Sequence, residues 1–130
     1  MGKSKYYSIS TKTSDGLVFD SHREARRWEQ LLLLHKAGKI SELQRQVKYD
    51  LLPKQYETEE RYGKDGKRLK DHVKVAEREV CYVADFVYTD DAGQLVVEDA
   101  KGYKGSTAYD IFVIKRKLMR LIHGIAVREV

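Results

Sequence analysis

Residues 83–102 read VADFVYTDDAGQLVVEDAKG, and this stretch decides the fold. Two apolar runs flank a short polar turn, which is the pattern of a β-hairpin. Because residues two apart in a strand point to the same face, Asp99 and Lys101 project together while Glu98 points the other way. Asp85 in the first strand reaches the same place if the register brings it there. The hairpin therefore predicts two carboxylates and a lysine held close together.

The composition predicts one folded domain spanning residues 1–130, with residues 1–5 loose. A hydrophobic fraction of 42% and a single proline argue against a disordered chain. No apolar run approaches the length of a membrane span or of a secretory signal, so no membrane partner is expected. The lone cysteine, Cys81, excludes a disulfide within one chain and fits a reducing, cytoplasmic compartment.

Charge is distributed unevenly along the chain. Residues 77–99 hold seven acidic residues against one arginine, whereas residues 61–70 and 101–120 are strongly basic. Basic flanks suit a polyanion such as DNA, because phosphate contacts supply most non-specific nucleic-acid affinity. An acidic centre suits a metal ion that the polyanion also touches. Ordinary solvated surface charge is the alternative interpretation.

The remaining elements follow from periodicity and turn signals. In chain order we predict a hairpin (6–11 and 17–19), a helix from Ser21 to about Lys36, a strand within 40–52, a long strand (73–88), a helix (108–123) and an edge strand (125–130). Residues 54–72 predict a flexible basic loop or a protruding hairpin, which grips DNA or is simply solvated. This order indicates an α/β fold in which helices flank a central sheet.

Glu24 occupies an unusual position on the first helix. It closes the capping box SHRE at residues 21–24, and on a helical wheel it lies in the middle of the apolar stripe that contains Trp28 and Leu31. A carboxylate on a core-facing stripe is costly unless it is paired or binds a metal. Two interpretations stay open: Glu24 bonds the Ser21 amide, or it is a third acid aimed at the hairpin.

The last helix carries a lysine on its predicted apolar face. That stripe is made of Ile111, Ile114, Leu118, Leu121 and Ile122, with Lys115 in its middle. Lys115 either extends along the stripe into solvent or points to the acidic cluster or a phosphate. Gln46, in the strand before the charged segment, either positions water or DNA at the site or is an exposed polar residue.

The residue types at the hairpin suit a hard divalent cation. Mg²⁺ takes oxygen ligands, and Asp85, Asp99 and Glu24 offer carboxylates, while the Ala100 carbonyl offers another oxygen. Lys101 would orient the attacking water or stabilise developing charge. The four histidines match no zinc spacing, and neither a P-loop nor a serine-hydrolase elbow is present in the sequence.

These residues, in this order, resemble the PD-(D/E)XK nuclease superfamily. The runs FDSHREA (19–25), ADF (84–86) and EDAKG (98–102) look like a family of small phage-encoded members, and the likeness spans about residues 5–125. Archaeal-type Holliday junction resolvases and transposon-end endonucleases are similar in plan. One departure is that alanine precedes Asp85, where proline is common in the superfamily.

The resemblance implies a restriction-endonuclease-like fold with a central mixed β-sheet flanked by helices. It implies a Mg²⁺- or Mn²⁺-dependent endonuclease that hydrolyses DNA phosphodiesters, with branched or Holliday junction DNA as a candidate substrate and a homodimer as one option. A phage-encoded member would act in the bacterial host cytoplasm. Glu24, Asp85 and Asp99 would hold the metal with the Ala100 carbonyl, and Lys101 would assist. Accessory or DNA-binding roles would fall to Gln46, Lys115, Lys104, Lys67 and Arg68.

Two other functions fit the same residues. The chain could be a non-catalytic nucleic-acid-binding module on a nuclease-like scaffold. It could instead be an interaction protein in which Asp99–Lys101 and Glu24–Arg27 are ordinary ion pairs. The nuclease is favoured because Glu24 and Lys115 lie on apolar stripes, where surface ion pairs do not belong.

Overall fold

The computed structural model describes residues 10–130 and shows a mixed four-stranded sheet with a helix on each face. This confirms the predicted α/β fold class. The elements in chain order are β1 (Thr11–Lys12), β2 (Val18–Phe19), α1 (His22–Lys36), β3 (Ser41–Leu52), β4 (Gln55–Glu59), β5 (His72–Glu77), β6 (Val80–Thr89), β7 (Leu95–Asp99), α2 (Thr107–His123) and β8 (Arg128–Glu129). Within residues 10–130, neither helix is long and apolar enough to cross a membrane.

The main sheet has the strand order β3-β6-β7-β8. The predicted hairpin of residues 83–102 is confirmed as β6 and β7, which pair antiparallel with Phe86 opposite Glu98. Its turn closes because the Asp90 side chain accepts the backbone N–H groups of Ala92 and Gln94. β8 pairs parallel to β7 and forms the far edge of the sheet.

The first predicted hairpin is present in the described residues as β1 and β2, which pair antiparallel. Residues 6–9 of its first strand, and the terminus expected to be loose (1–5), lie outside the described residues.

Both helices begin at a serine cap. The Ser21 Oγ accepts the Glu24 N–H at 3.3 Å, and the Ser106 Oγ accepts the Tyr109 N–H at 3.1 Å. α1 buries Ala25, Trp28 and Leu31 against one face of the sheet.

The predicted apolar stripe of α2 is wrong except at Leu118, which is half-buried and packs against the core. α2 buries Phe112 and Met119 instead, while Ile111, Ile114, Leu121 and Ile122 are 44% to 81% exposed. The apolar residues of α2 do form one stripe, but most of that stripe stays exposed and the helix packs through a neighbouring face. Packing determines which face of α2 is buried, because the Phe112 ring lies against Tyr82 with ring centroids 6.1 Å apart.

Residues 55–77 form a protruding two-stranded ribbon, which we call the arm. β4 and β5 pair antiparallel, and every side chain in both strands is exposed. Of the two expectations for residues 54–72, the structure shows the hairpin. The predicted single strand over 73–88 is wrong, since β5 ends at Glu77 and β6 begins at Val80. The break faces Pro53, which has no N–H to donate to a ladder.

On β3 and β6, the alternation of side chains between the two faces of the sheet shifts by one residue at the same level. Ala84 packs in the α2 cluster and Phe86 in the α1 cluster, although residues two apart in a regular strand share a face. On β3, Val47 packs on the α2 side, whereas the Arg45 guanidinium lies 4.2 Å from the Phe19 ring centroid on the α1 side. Gln46, which lies between them, has a left-handed backbone with φ of 52°. We call this level the face switch, and Asp85 lies on it.

Candidate active site

Asp85 projects from the face switch toward the end of β7. Its Oδ2 accepts the backbone N–H of Ala100 at 2.9 Å, and its Oδ1 accepts the Gln46 side-chain amide at 3.3 Å. The switch removes Asp85 from the normal alternation of strand side chains. As a result, its carboxylate reaches both neighbouring strands.

Asp99 is the buried acid of the site, with 3% of its surface exposed. Its Oδ2 accepts the Tyr82 hydroxyl at 2.6 Å. Its Oδ1 forms an ion pair with the Lys101 Nζ at 2.9 Å and accepts no further hydrogen bond from the described residues. A buried carboxylate oxygen with spare acceptor capacity is suited to binding a cation.

The carboxylates crowd one another. Burial first, and the neighbouring Asp99 charge second, raise the pKa of Asp85 to about 7. Burial and the Asp99 charge also raise the pKa of Glu24, and the positive charges of Arg45 and Lys101 oppose that rise. The site therefore holds more negative charge than its own cations neutralise.

Glu24 approaches this pair from α1, on the opposite side of the sheet from Tyr82 and Lys101. Its N–H completes half of the predicted capping box, but its carboxylate bonds no described residue. The structure thus leaves the carboxylate free to act on Asp99 through charge. Among residues 10–130, no three His, Cys, Asp or Glu side chains already converge as a metal-ligand set.

Glu98 points away from the site, as the alternation in β7 predicts. It is fully buried, accepts two hydrogen bonds from Arg27 at 2.8 and 2.6 Å, and accepts the Tyr88 hydroxyl at 2.6 Å. Arg27 therefore pairs with Glu98, whereas the alternative interpretation placed it with Glu24. This ion pair joins α1 to β7.

Lys101 lies between the sheet and α2. Its Nζ is 4.4 Å from the Phe112 ring centroid, and its backbone N–H donates to the Val130 carbonyl. A cavity of about 320 Å³ opens beside it, lined by Asp99, Lys101, Lys115 and apolar side chains. Lys115 therefore lies near the site, although most of the apolar stripe on which the sequence places it is exposed.

The other predicted DNA-binding residues lie elsewhere. Lys104 pairs with Glu129 at 3.0 Å. Arg68 pairs with Asp71 on the arm, and Lys67 lies in the turn at the tip of the arm. The structure does not bring these three residues to the acidic pair.

Sequence reasoning missed two residues of the site. Tyr82 had a detectable signal, because a tyrosine hydroxyl within an apolar strand needs a partner. Arg45 had none, since its contact with Phe19 depends on the face switch.

No curated protein and no solved structure matches this chain. A family model described as "Protein of unknown function (DUF1064)" matches residues 3–124, which is nearly the full length of the chain. The chain with the paired aspartates and the lysine described above therefore belongs to the DUF1064 family.

Proposed function

We propose that this protein is a metal-dependent endonuclease that hydrolyses phosphodiester bonds in DNA. The observation that carries the proposal is the crowding of Asp85 and Asp99 beside Lys101, whose Nζ is the one described partner of a buried Asp99 oxygen, at 2.9 Å. The order of these residues along the chain, with Glu24 on the first helix, supports it through the resemblance to PD-(D/E)XK nucleases.

The residues present fit a hard divalent cation. Asp85, Asp99 and the Ala100 carbonyl would hold Mg²⁺ or Mn²⁺, and Glu24 would balance its charge or bind it through water. When bound, the ion supplies a polarised phosphoryl group and a water molecule of lowered pKa.

The chain's own residues then have separate roles. Tyr82 donates to one oxygen of Asp99 and leaves the other oxygen facing Lys101. Gln46 and the Ala100 N–H hold the two oxygens of Asp85. Lys101, whose Nζ is already at the carboxylate, stabilises the negative charge that develops on the phosphate oxygens.

The DNA would present the phosphate backbone of one strand to this site. Lys115 beside the cavity and the basic tip of the arm offer cations to its phosphates. A branched or Holliday junction substrate and a dimeric enzyme are parts of the proposal that the cleavage assay and a sedimentation measurement address separately.

The test is cleavage of supercoiled plasmid, linear duplex and a synthetic four-way junction, with Mg²⁺, Mn²⁺ or EDTA. We expect metal-dependent cleavage that Asp99→Asn and Lys101→Met each reduce at least about a hundredfold. The matched control is Asp91→Asn, in the exposed turn of the same hairpin, which should cleave like the wild type.

Undiminished cleavage by the Asp99 or Lys101 variant would refute the assigned roles. Salt-sensitive DNA binding without cleavage by the wild type would instead identify a non-catalytic binding module. If the wild type neither binds nor cleaves DNA, the interpretation that remains is the interaction protein.

A further inference from the structure

A basic cavity of about 410 Å³ lies outside the acidic site, between the first turns of α1 and the chain that follows β8. Its lining is His22, Arg23, Arg26, Arg27, Gln30 and Val130. None of these residues took part in the site predicted from the sequence.

The three arginines share one side of α1, because residues three and four apart on a helix are neighbours. Arg27 is committed to Glu98 and also donates to Gln30 at 3.0 Å. Arg23 and Arg26 are exposed and make no ion pair with any residue in the described part of the chain. Two guanidinium groups are therefore left to bind something else.

This placement is unfavourable for the fold alone. The first turns of a helix carry the positive end of its dipole, where cations destabilise the helix, and like charges three residues apart repel. The one acid in the first turn, Glu24, forms no ion pair with these arginines among the described residues. An anion in the cavity would relieve both costs.

The cavity is adjacent to the acidic site. The Arg23 Nε lies 3.7 Å from where a Cβ on Gly102 would stand, and Gly102 directly follows Lys101. β8 is the edge of the sheet farthest from β3, whereas the arm leaves from β3 and β6. The acidic site on β6 and β7 therefore lies between the arm and the basic cavity.

We infer that this cavity binds a phosphate of the DNA strand whose cleavage occurs at the acidic site, an inference that rests on the proposed function. Guanidinium groups recognise phosphate with paired hydrogen bonds, and two exposed arginines beside a third that is fixed by Glu98 form such a receptor. The phosphate is an internal phosphodiester or a terminal phosphate, and the experiment separates the two sources.

The test uses the full chain and measures binding of a fluorescent duplex in EDTA, where no cleavage occurs, between about 50 and 200 mM salt. The variant Arg23→Gln/Arg26→Gln should bind about fivefold to tenfold more weakly at low salt, with a salt slope smaller by about one. The matched control is Lys36→Gln/Lys39→Gln at the other end of α1, which removes the same charge and should keep the wild-type slope. Thermal unfolding of both variants excludes a folding defect.

An unchanged salt slope in the arginine variant, or an equal loss in the lysine control, would overturn the inference. A preference of the wild type for 5′-phosphorylated duplex that the arginine variant loses would identify a terminal phosphate; equal binding of both duplexes would identify an internal one. In Mg²⁺, the arginine variant should raise KM more than it lowers kcat.

Failure of the proposed function gives a different result. If the wild type binds DNA through the arginines but never cleaves it, the phosphate site stands and the nuclease assignment falls. If the wild type cleaves DNA and the arginine variant cleaves equally at every substrate concentration, the site falls and the assignment stands. Absence of any DNA binding overturns both.

Discussion

Replacing Asp85 by asparagine should stabilise the metal-free protein at neutral and alkaline pH. The pKa of this carboxyl is 3.8 unperturbed and about 7 in the fold. At a pH between these two pKa values, the folded chain therefore keeps a proton on Asp85 that the unfolded chain has released. Stability is then lost as the pH rises through this window, because the fold must accept a second charge beside Asp99. The neutral amide of the Asp85→Asn variant carries no such charge.

The size of the effect follows from the same values. The difference between the two pKa values corresponds to ~4 kcal/mol if Asp85 alone carried it in a fully buried site. Asp85 is only partly buried and shares its titration with Asp99, so we expect about 1–2 kcal/mol. For a chain of this length, that is a rise in Tm of about 5 °C.

The assay is thermal and urea unfolding of wild-type and Asp85→Asn protein in EDTA, at about pH 8 and about pH 4. The variant should be the more stable protein at the higher pH, and the two should differ little at the lower pH. Added Mg²⁺ should then stabilise the wild type and not the variant. Asp91→Asn is the control. A variant that is less stable than the wild type in EDTA at the higher pH would refute the crowding of charge at Asp85 and Asp99.

Three further outcomes follow from the packing. Arg27→Met should lower the free energy of unfolding, measured in urea, by about 3 kcal/mol, because it removes the main partner of the buried Glu98. The control variant Arg26→Met should change that free energy by less than about 0.5 kcal/mol. Tyr82→Phe should cost about 1–2 kcal/mol in the same measurement and weaken Mg²⁺ binding by calorimetry, because Asp99 loses its hydroxyl donor. Replacing the arm by a two-residue turn should leave the circular dichroism of the remaining domain and its Tm nearly unchanged, while DNA affinity at low salt falls; a chain that no longer folds would show that the arm supports the sheet.

The hairpin and the cap of the first helix could be predicted from the sequence because their signals are local. A turn motif between apolar runs places Asp85 and Asp99 on paired strands, and Ser21 before α1 supplies the first acceptor of that helix. The separation of Asp99 from Glu98 likewise needed only the alternation of a regular strand.

What could not be predicted depends on contacts distant in the chain. The buried face of α2 depends on the packing of Phe112 against Tyr82, a contact distant in the chain, whereas most of the apolar stripe that the sequence shows is exposed. The distance between Glu24 and the aspartates depends on how α1 seats against the sheet, through Trp28 stacked on Phe86. The functional role of the site stays a prediction, since the family is of unknown function.

The left-handed backbone at Gln46 has a consequence for how this protein would evolve. A non-glycine residue in that conformation costs about 1–2 kcal/mol, and glycine and asparagine adopt it with less strain. Selection of a position-46 library for heat resistance alone should therefore enrich glycine and asparagine. Selection for the proposed nuclease activity should retain glutamine, because its amide reaches the Asp85 carboxylate. The two selections would then enrich different residues at position 46, since the residue that best fits the backbone is not the one that holds Asp85.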